Sequence, residues 1–180
     1  TDNDFQPRGK QISKPHSIWY TAVSGIWQSV WIEPVGDAFI YDYDAVADID
    51  AGKLTLTAKV DGAQDGDVVK AVVKGDGKEF DATLEPGKSA VVTIDGARLW
   101  SIDDPYLYDI EFTLLRNEKA VDKVKGYTAM RKVSVVKDED GFNRLALNNK
   151  PVFHYGPLDQ GWWPDGLYTP PTDEAMRYDL

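Results

Sequence analysis

The sequence predicts an all-β chain whose centre is a two-sheet antiparallel sandwich of about seven strands. Three observations carry that expectation. Through the middle of the chain, apolar and polar residues alternate with a period of two, as on half-buried strands. Turn sequences rich in Gly, Pro, Asn and Asp break these runs at short intervals. No window there sustains the 3.6-residue period of an amphipathic helix.

The elements follow in order. FIYDYDAVADI (39–49) alternates loosely, and KLTLTAKV (53–60) cleanly, with Leu54, Leu56, Ala58 and Val60 on one face and Thr55, Thr57 and Lys59 on the other. DVVKAVVKG (67–75) runs into Gly75-Asp76-Gly77, a hairpin turn in which glycine accepts positive φ. EFDATL (79–84), the EPGK turn and SAVVTID (89–95) come next. YLYDIEFTLL (106–115), the RNEK turn, KAVDKV (119–124) and MRKVSVV (130–136) complete the set. Strands at this spacing suit an immunoglobulin-like or fibronectin-like sandwich, with a closed barrel as the alternative.

Composition narrows the function classes. The 180 residues carry 20 Lys and Arg against 30 Asp and Glu, a net charge of −10, which argues against a nucleic-acid partner. There is no Cys, hence no disulfide, thiol nucleophile or Cys-based metal site. No apolar run approaches the roughly 18 residues of a membrane helix, and no signal peptide is visible. Trp is unevenly placed: Trp19, Trp27 and Trp31 lie near the start, Trp162 and Trp163 near the end, and Trp100 alone between residues 36 and 136. That middle holds 19 acids and 13 bases. Two aromatic flanks thus surround an acidic sandwich.

In the first flank, Val30 and Ile32 alternate with Trp31 and Glu33, a strand-like pattern that Pro34 ends. In the last, RLALN and PVFHYG enclose the polar turn Asn148-Asn149-Lys150. DQGWWPDGLYTPP (159–171) reads as loop, and TDEAMRYDL (172–180) as a helix start with Thr172 as cap and Asp173 and Glu174 in the first turn. The helix stops after barely two turns at Leu180, so the natural protein is expected to continue.

Four segments, WYTAVSGIWQSVWIEPV, RLWSIDDPYLYDIEFTL, GYTAMRKVSV and LALNNKPVFHYGPLDQGWWPDGLYTPPTDEAMRYDL, occur in the order found in glycoside hydrolase family 2. From about Arg8 onward the chain resembles that family, which includes β-galactosidases, β-glucuronidases and β-mannosidases. The resemblance implies three pieces. Residues 1–35 would be the last strand region of a jelly-roll sugar-binding-like domain, 36–136 the immunoglobulin-like sandwich, and 137–180 the opening of a (β/α)8 catalytic barrel. Ile102 stands where the family often has Pro, and Ala129 where it often has Gly; both departures touch turn geometry in the sandwich.

The family's retaining mechanism uses two Glu carboxyls at about 5–5.5 Å, one of them often in an Asn-Glu pair. The one such pair here, Asn117-Glu118, sits in a hairpin turn, and 44 residues after position 136 fall short of the roughly 250 of a barrel. No catalytic residue is therefore expected in the chain. Asp103-Asp104 before Pro105 reads as an Asx-type turn. The stretch DGAQDGD (61–67) reads as a solvated turn, since it lacks the ligand spacing of a calcium loop. His16 and His154 have no second ligand at metal spacing.

The candidate substrate-binding residues are Asp159, Gln160, Trp162 and Trp163, placed by the resemblance near a barrel mouth, with simple packing as the competing role. Trp19, Trp27, Trp31 and Trp100 are expected to pack between domains. The expected function is that of a non-catalytic sandwich fragment from a β-galactosidase-like enzyme that works without an organic cofactor, with no metal site expected in the fragment itself and a metal in the parent left open; its partners are a carbohydrate substrate and the neighbouring domains. The alternative is a free-standing carbohydrate-binding or adhesion module. A bacterial periplasm or cell surface is the favoured location.

Overall fold

A computed structural model describes residues 9–180, so the first eight residues of the expected 1–35 segment lie outside the described residues. The strands are β1 Gln11–Ile12, β2 Tyr20–Thr21, β3 Phe39–Asp48, β4 Lys53–Asp61, β5 Val68–Gly75, β6 Lys78–Leu84, β7 Ser89–Thr93, β8 Tyr108–Arg116, β9 Lys119–Thr128, β10 Val133–Lys137, β11 Asn143–Leu147 and β12 Lys150–Pro151. One helix, α1 Asp173–Asp179, follows among the described residues. The chain divides into two compact units, residues 34–155 and residues 9–33 with 156–180.

The first unit is built on the sandwich. Strands pair antiparallel in the orders β3-β4-β7 and β6-β5-β8-β9. Seven strands are present, close to the expected number; the first seven runs read from the sequence supply them, and the eighth, MRKVSVV, does not add a strand to either sheet. The order departs from a constant-type immunoglobulin domain in one pairing: the fourth strand, β6, stays beside β5 instead of joining the other sheet. Alternation decides which side chains meet between the sheets. Leu54, Leu56 and Ala58 of β4 face Val69, Ala71 and Val73 of β5 and Tyr108, Ile110, Phe112 and Leu114 of β8, all shut off from water. Each large apolar side chain so buried contributes about 1.5–3 kcal/mol relative to exposure. The loose alternation of β3 has a cause: a bulge at Tyr41 puts Ile40 and then Tyr43, Ala45 and Ala47 on the inner side.

Three hairpins turn on residue pairs with positive φ at both positions: Asp76-Gly77 (53° and 71°), Asn117-Glu118 (48° and 64°) and Asn148-Asn149 (51° and 66°). This is the backbone whose twist matches paired strands, and Asn, Asp and Gly tolerate it best. Asn117-Glu118 is thereby a turn, as its position in the sequence implies.

The closed-barrel alternative fails at the β3/β9 edge. There the sheets are joined by side chains and not by a ladder. The Ile40 amide donates to Asp122 Oδ2 (2.7 Å), and the Tyr43 hydroxyl lies 3.2 Å from the Tyr127 amide and 3.3 Å from its carbonyl. Gly126 leaves room for this, because a Cβ there would come within 2.0 Å of Tyr43 Oη.

Two expectations are corrected. Within MRKVSVV, Met130 enters the core, but Val133–Lys137 leaves the sandwich and pairs with β11, giving a small sheet β10-β11-β12. The reversal is made at residues 138–141, where the Asp138 carboxylate accepts the amides of Asp140 (3.1 Å) and Phe142 (2.8 Å) and Gly141 takes φ 85°. Residues 30–33 form no strand, because among the described residues nothing pairs with them, and a strand needs a ladder. Ile32 is consequently 95% exposed.

Candidate functional site

The second unit contains the predicted substrate-binding residues. β1 and β2 pair parallel, with the Tyr20 amide on Lys10 O (2.8 Å) and the Ala22 amide on Ile12 O (3.1 Å). This small ladder presents Tyr20, whose ring lies flat on Trp162 (centroids 4.9 Å apart, planes at 20°). Tyr168 meets Trp162 edge-on at 5.2 Å and Trp27 at 5.5 Å. The result is a run of four rings, Tyr20, Trp162, Tyr168 and Trp27, in the edge-on, tilted and stacked geometries that ring quadrupoles favour. Polar contacts accompany it. Lys10 Nζ donates to Gln160 Oε1 (3.3 Å), and Thr169 Oγ1 to the Trp27 carbonyl (3.5 Å).

The loop carrying Trp162 and Trp163 folds on local chemistry. Asp159 Oδ1 accepts the Gly161 amide (2.7 Å), an Asx turn completed by the positive φ of Gly161. Trp163 and Leu167 exchange both backbone bonds (2.8 and 3.1 Å) across Pro164-Asp165-Gly166. Thr172 Oγ1 then accepts the Ala175 amide (3.1 Å) and caps α1, as the sequence predicts. The structure brings Gln160 and Trp162 into contact with the N-terminal segment, while Asp159 serves its own turn and Trp163 stays half-buried without a ring neighbour among the described residues. Reading the sequence missed Tyr20, Tyr168 and Lys10, which hold the site. The only clue was that Tyr20 and Tyr168 lie inside the same aromatic segments.

The four tryptophans expected at domain contacts fare differently. Trp27 belongs to the ring run. Trp19 ends a turn with its amide on His16 O (3.0 Å), and Trp31 is 72% exposed. Trp100 sits in the sandwich unit, under the Arg131 guanidinium at 5.0 Å. Its carbonyl accepts Asn148 Nδ2 (2.9 Å), and Asn148 Oδ1 accepts the Lys132 amide (3.0 Å). Asp50 receives Lys132 Nζ and Asn149 Nδ2, and both contacts hold its carboxyl below the usual range. These bonds fasten the β10-β11-β12 sheet to the end of the sandwich.

The acidic stretches resolve into structural pairs. Asp104 is held by Arg98 through two 2.8 Å bonds, which lower its pKa, and Arg98 lies 4.2 Å over the Tyr106 ring. Asp67, expected in a solvated turn, is instead buried. Arg116 grips it at 2.9 and 2.7 Å, and the Gln64 amide adds 2.9 Å. The guanidinium and that amide bring the Asp67 pKa down to about 2. Asp61 and Asp65 in the same stretch are exposed, and the partner that buries Asp67, Arg116, lies 49 residues away. Among the described residues no cluster of three His, Asp or Glu could hold a metal. His16 Nδ1 donates to Lys14 O (3.0 Å), and His154 lines an open groove with Asp138, Arg144 and Phe153.

Known proteins place this architecture. The chain is 26% identical over 151 residues to the β-galactosidase BoGH2A of Bacteroides ovatus, covering 74% of this chain and 18% of that protein. It is 24% identical over 195 aligned positions to a β-galactosidase of Thermoanaerobacter pseudethanolicus, covering 98% of this chain and 25% of that one. The chain thus spans a quarter or less of the length of these curated relatives. Among solved structures, a Ruminococcus gnavus β-glucuronidase in complex with C6-substituted uronic isofagomine shares the fold with TM-score 0.58 at 18% identity, over 73% of this chain and 21% of that chain. An FMN-binding β-glucuronidase from Facaelibacterium prausnitzii L2-6 does so with TM-score 0.52 at 22% identity, over 64% and 19%. The sequence profile of glycosyl hydrolases family 2 matches residues 38–131, which is the sandwich from the start of β3 to just past β9 and more than half of the chain. The chain belongs to glycosyl hydrolases family 2.

Proposed function

We propose that these residues are the sandwich-centred segment of an enzyme that hydrolyses β-galactosides, and that this segment is itself without catalytic activity. The observation that carries the reading is the family match over the sandwich, together with two relatives that both bear the name β-galactosidase. The reaction is double displacement by a pair of glutamates about 5–5.5 Å apart, supplied by residues outside the chain. The sequence's one Asn-Glu pair, Asn117-Glu118, is occupied in the β8–β9 turn.

Residues 1–35 are the end of a jelly roll in this reading, 36–136 the sandwich domain and 137–180 the opening of a barrel. Exposure supports the last assignment. Phe153 (89%) and Tyr155 (95%) follow β12 in an apolar run that no strand pairs among the described residues, as suits a barrel strand awaiting its neighbours. Asp159, Gln160, Trp162 and Trp163 then follow that strand, where aromatic faces stack on sugar C–H surfaces and carboxylate or amide groups bind hydroxyls. Trp19, Trp27, Trp31 and Trp100 serve packing against neighbouring parts of the same polypeptide.

The test is hydrolysis of nitrophenyl β-galactoside by the longest natural polypeptide containing these residues and by the 180-residue chain. Turnover by the first and none by the second above a matched blank is expected. Turnover by the 180-residue chain would overturn its non-catalytic role. A long polypeptide that cleaves no β-glycoside would overturn the enzyme reading, and oligosaccharide binding by the sandwich would then favour a binding module.

A further inference from the structure

The geometry points to a division of labour within the loop at 157–168: Trp162 is a pillar fixed by Tyr20, and Trp163 is the ring left for a sugar. Tyr20 is thus a positioning residue for the candidate carbohydrate contact, an inference that rests on the function proposed above. Tyr20 covers one face of Trp162 at 4.9 Å, and Tyr168 meets the same indole edge-on. An indole stacked on one side and abutted by a second ring is restricted as a sugar platform. Trp163, bonded to Leu167 through its backbone alone, has no ring on it among the described residues.

The loop has little of its own to fix it. Its internal bonds are the Trp163–Leu167 pair and the Asp159 turn, and none of its residues is buried. Tyr168 braces Trp162 edge-on from within the loop, and the Thr169 amide bonds Gly166 O (2.9 Å); the other supports come from far away in sequence. Tyr20 supplies the stack, Lys10 reaches Gln160 across 150 residues, and Thr169, just beyond the loop, reaches the Trp27 carbonyl across 142. Tyr20 can act in this way because its amide is tied to Lys10 O, so its ring starts from a fixed backbone. The N-terminal segment thereby sets where Trp163 points.

Two measurements test this. In the 180-residue chain, hydrogen exchange at the Trp163 and Leu167 amides is expected to quicken about three- to tenfold in Tyr20→Ala, the range expected of one aromatic pair. Tyr20→Phe, which keeps the ring, should exchange as the parent chain does. Unchanged exchange within β5 and β8 reports that the sandwich is still folded. In the longest natural polypeptide, Tyr20→Ala should raise KM for a nitrophenyl β-galactoside by a similar factor with kcat within about twofold, Tyr20→Phe should restore KM, and Trp163→Ala should raise KM more than Trp162→Phe does. Unaltered exchange in Tyr20→Ala overturns the positioning role. Altered exchange with unaltered KM, or a larger KM effect from Trp162→Phe than from Trp163→Ala, overturns the assignment to Trp163. A polypeptide without glycosidase activity sinks the functional reading, and the exchange result still decides the coupling.

Discussion

In the sandwich unit, three faces of alternating residues (Leu54, Leu56 and Ala58; Val69, Ala71 and Val73; Tyr108, Ile110, Phe112 and Leu114) close on one another and exclude water. In the unit formed by residues 9–33 and 156–180, no described residue is buried, and cohesion rests on four half-exposed or exposed rings and a few polar bonds. One unit is held by non-directional burial spread over many side chains, and the other by a handful of oriented contacts worth about 0.5–1.5 kcal/mol each. Local opening follows the weaker kind of cohesion. The segment with the candidate sugar-binding residues is therefore the less stable one, and the sandwich is the more stable one.

The strongest way to break that contrast is through the core. Phe112 is fully buried in β8, with Tyr43 5.0 Å away across the sandwich. Phe112→Ala should cost the sandwich about 3–5 kcal/mol, by lost transfer energy and the cavity left behind. Denaturant unfolding followed at the β-sheet signal measures it. A loss under about 1 kcal/mol would mean that the sandwich collapses around the gap and is not packed as described.

Asp67 sharpens the comparison through pH. Its folded pKa of about 2 lies below the usual carboxylate value, because Arg116 and the Gln64 amide favour the charged form. A depressed acid stabilises the fold fully above its unfolded pKa and loses that contribution as pH falls through the folded one. Sandwich stability is thus expected to decline between about pH 4 and about pH 2. Asp67→Asn should lower the plateau at neutral pH and flatten that decline. Equal slopes in the parent chain and Asp67→Asn, in urea melts across this range, would show that other carboxylates dominate.

The same division separates what the sequence made legible from what it did not. Strands β3 to β9 were readable because alternation and positive-φ turn residues are local properties. The Asn117-Glu118 and Asp76-Gly77 turns needed no tertiary information. The fate of Val133–Lys137 was not readable, since a β-branched run does not reveal whether it will pair with β9 or with a strand still to come. The strand expected at residues 30–33 failed for the same reason in reverse. In the candidate site, the residue types at 159–163 stood out, but Tyr20 and Lys10 acquire meaning only through contacts across 142 and 150 residues. Asp67 shows the limit most plainly: its neighbours are solvated, and a single distant guanidinium makes it a buried anchor.

The smallest expected effect separates the two units most directly. Trp27 is about half exposed, and its ring meets Tyr168 at 5.5 Å. Trp27→Ala should leave the sandwich unfolding free energy within about 0.5 kcal/mol of the parent, as for a surface change away from a packed core. It should at the same time weaken the near-ultraviolet circular dichroism of the ring run, because Tyr168 loses one of its two aromatic neighbours. A sandwich midpoint that falls together with the aromatic signal would mean that the two units unfold as one. Cohesion by oriented rings would then be part of the sandwich's own stability, and the contrast drawn from burial would describe two regions of a single cooperative structure.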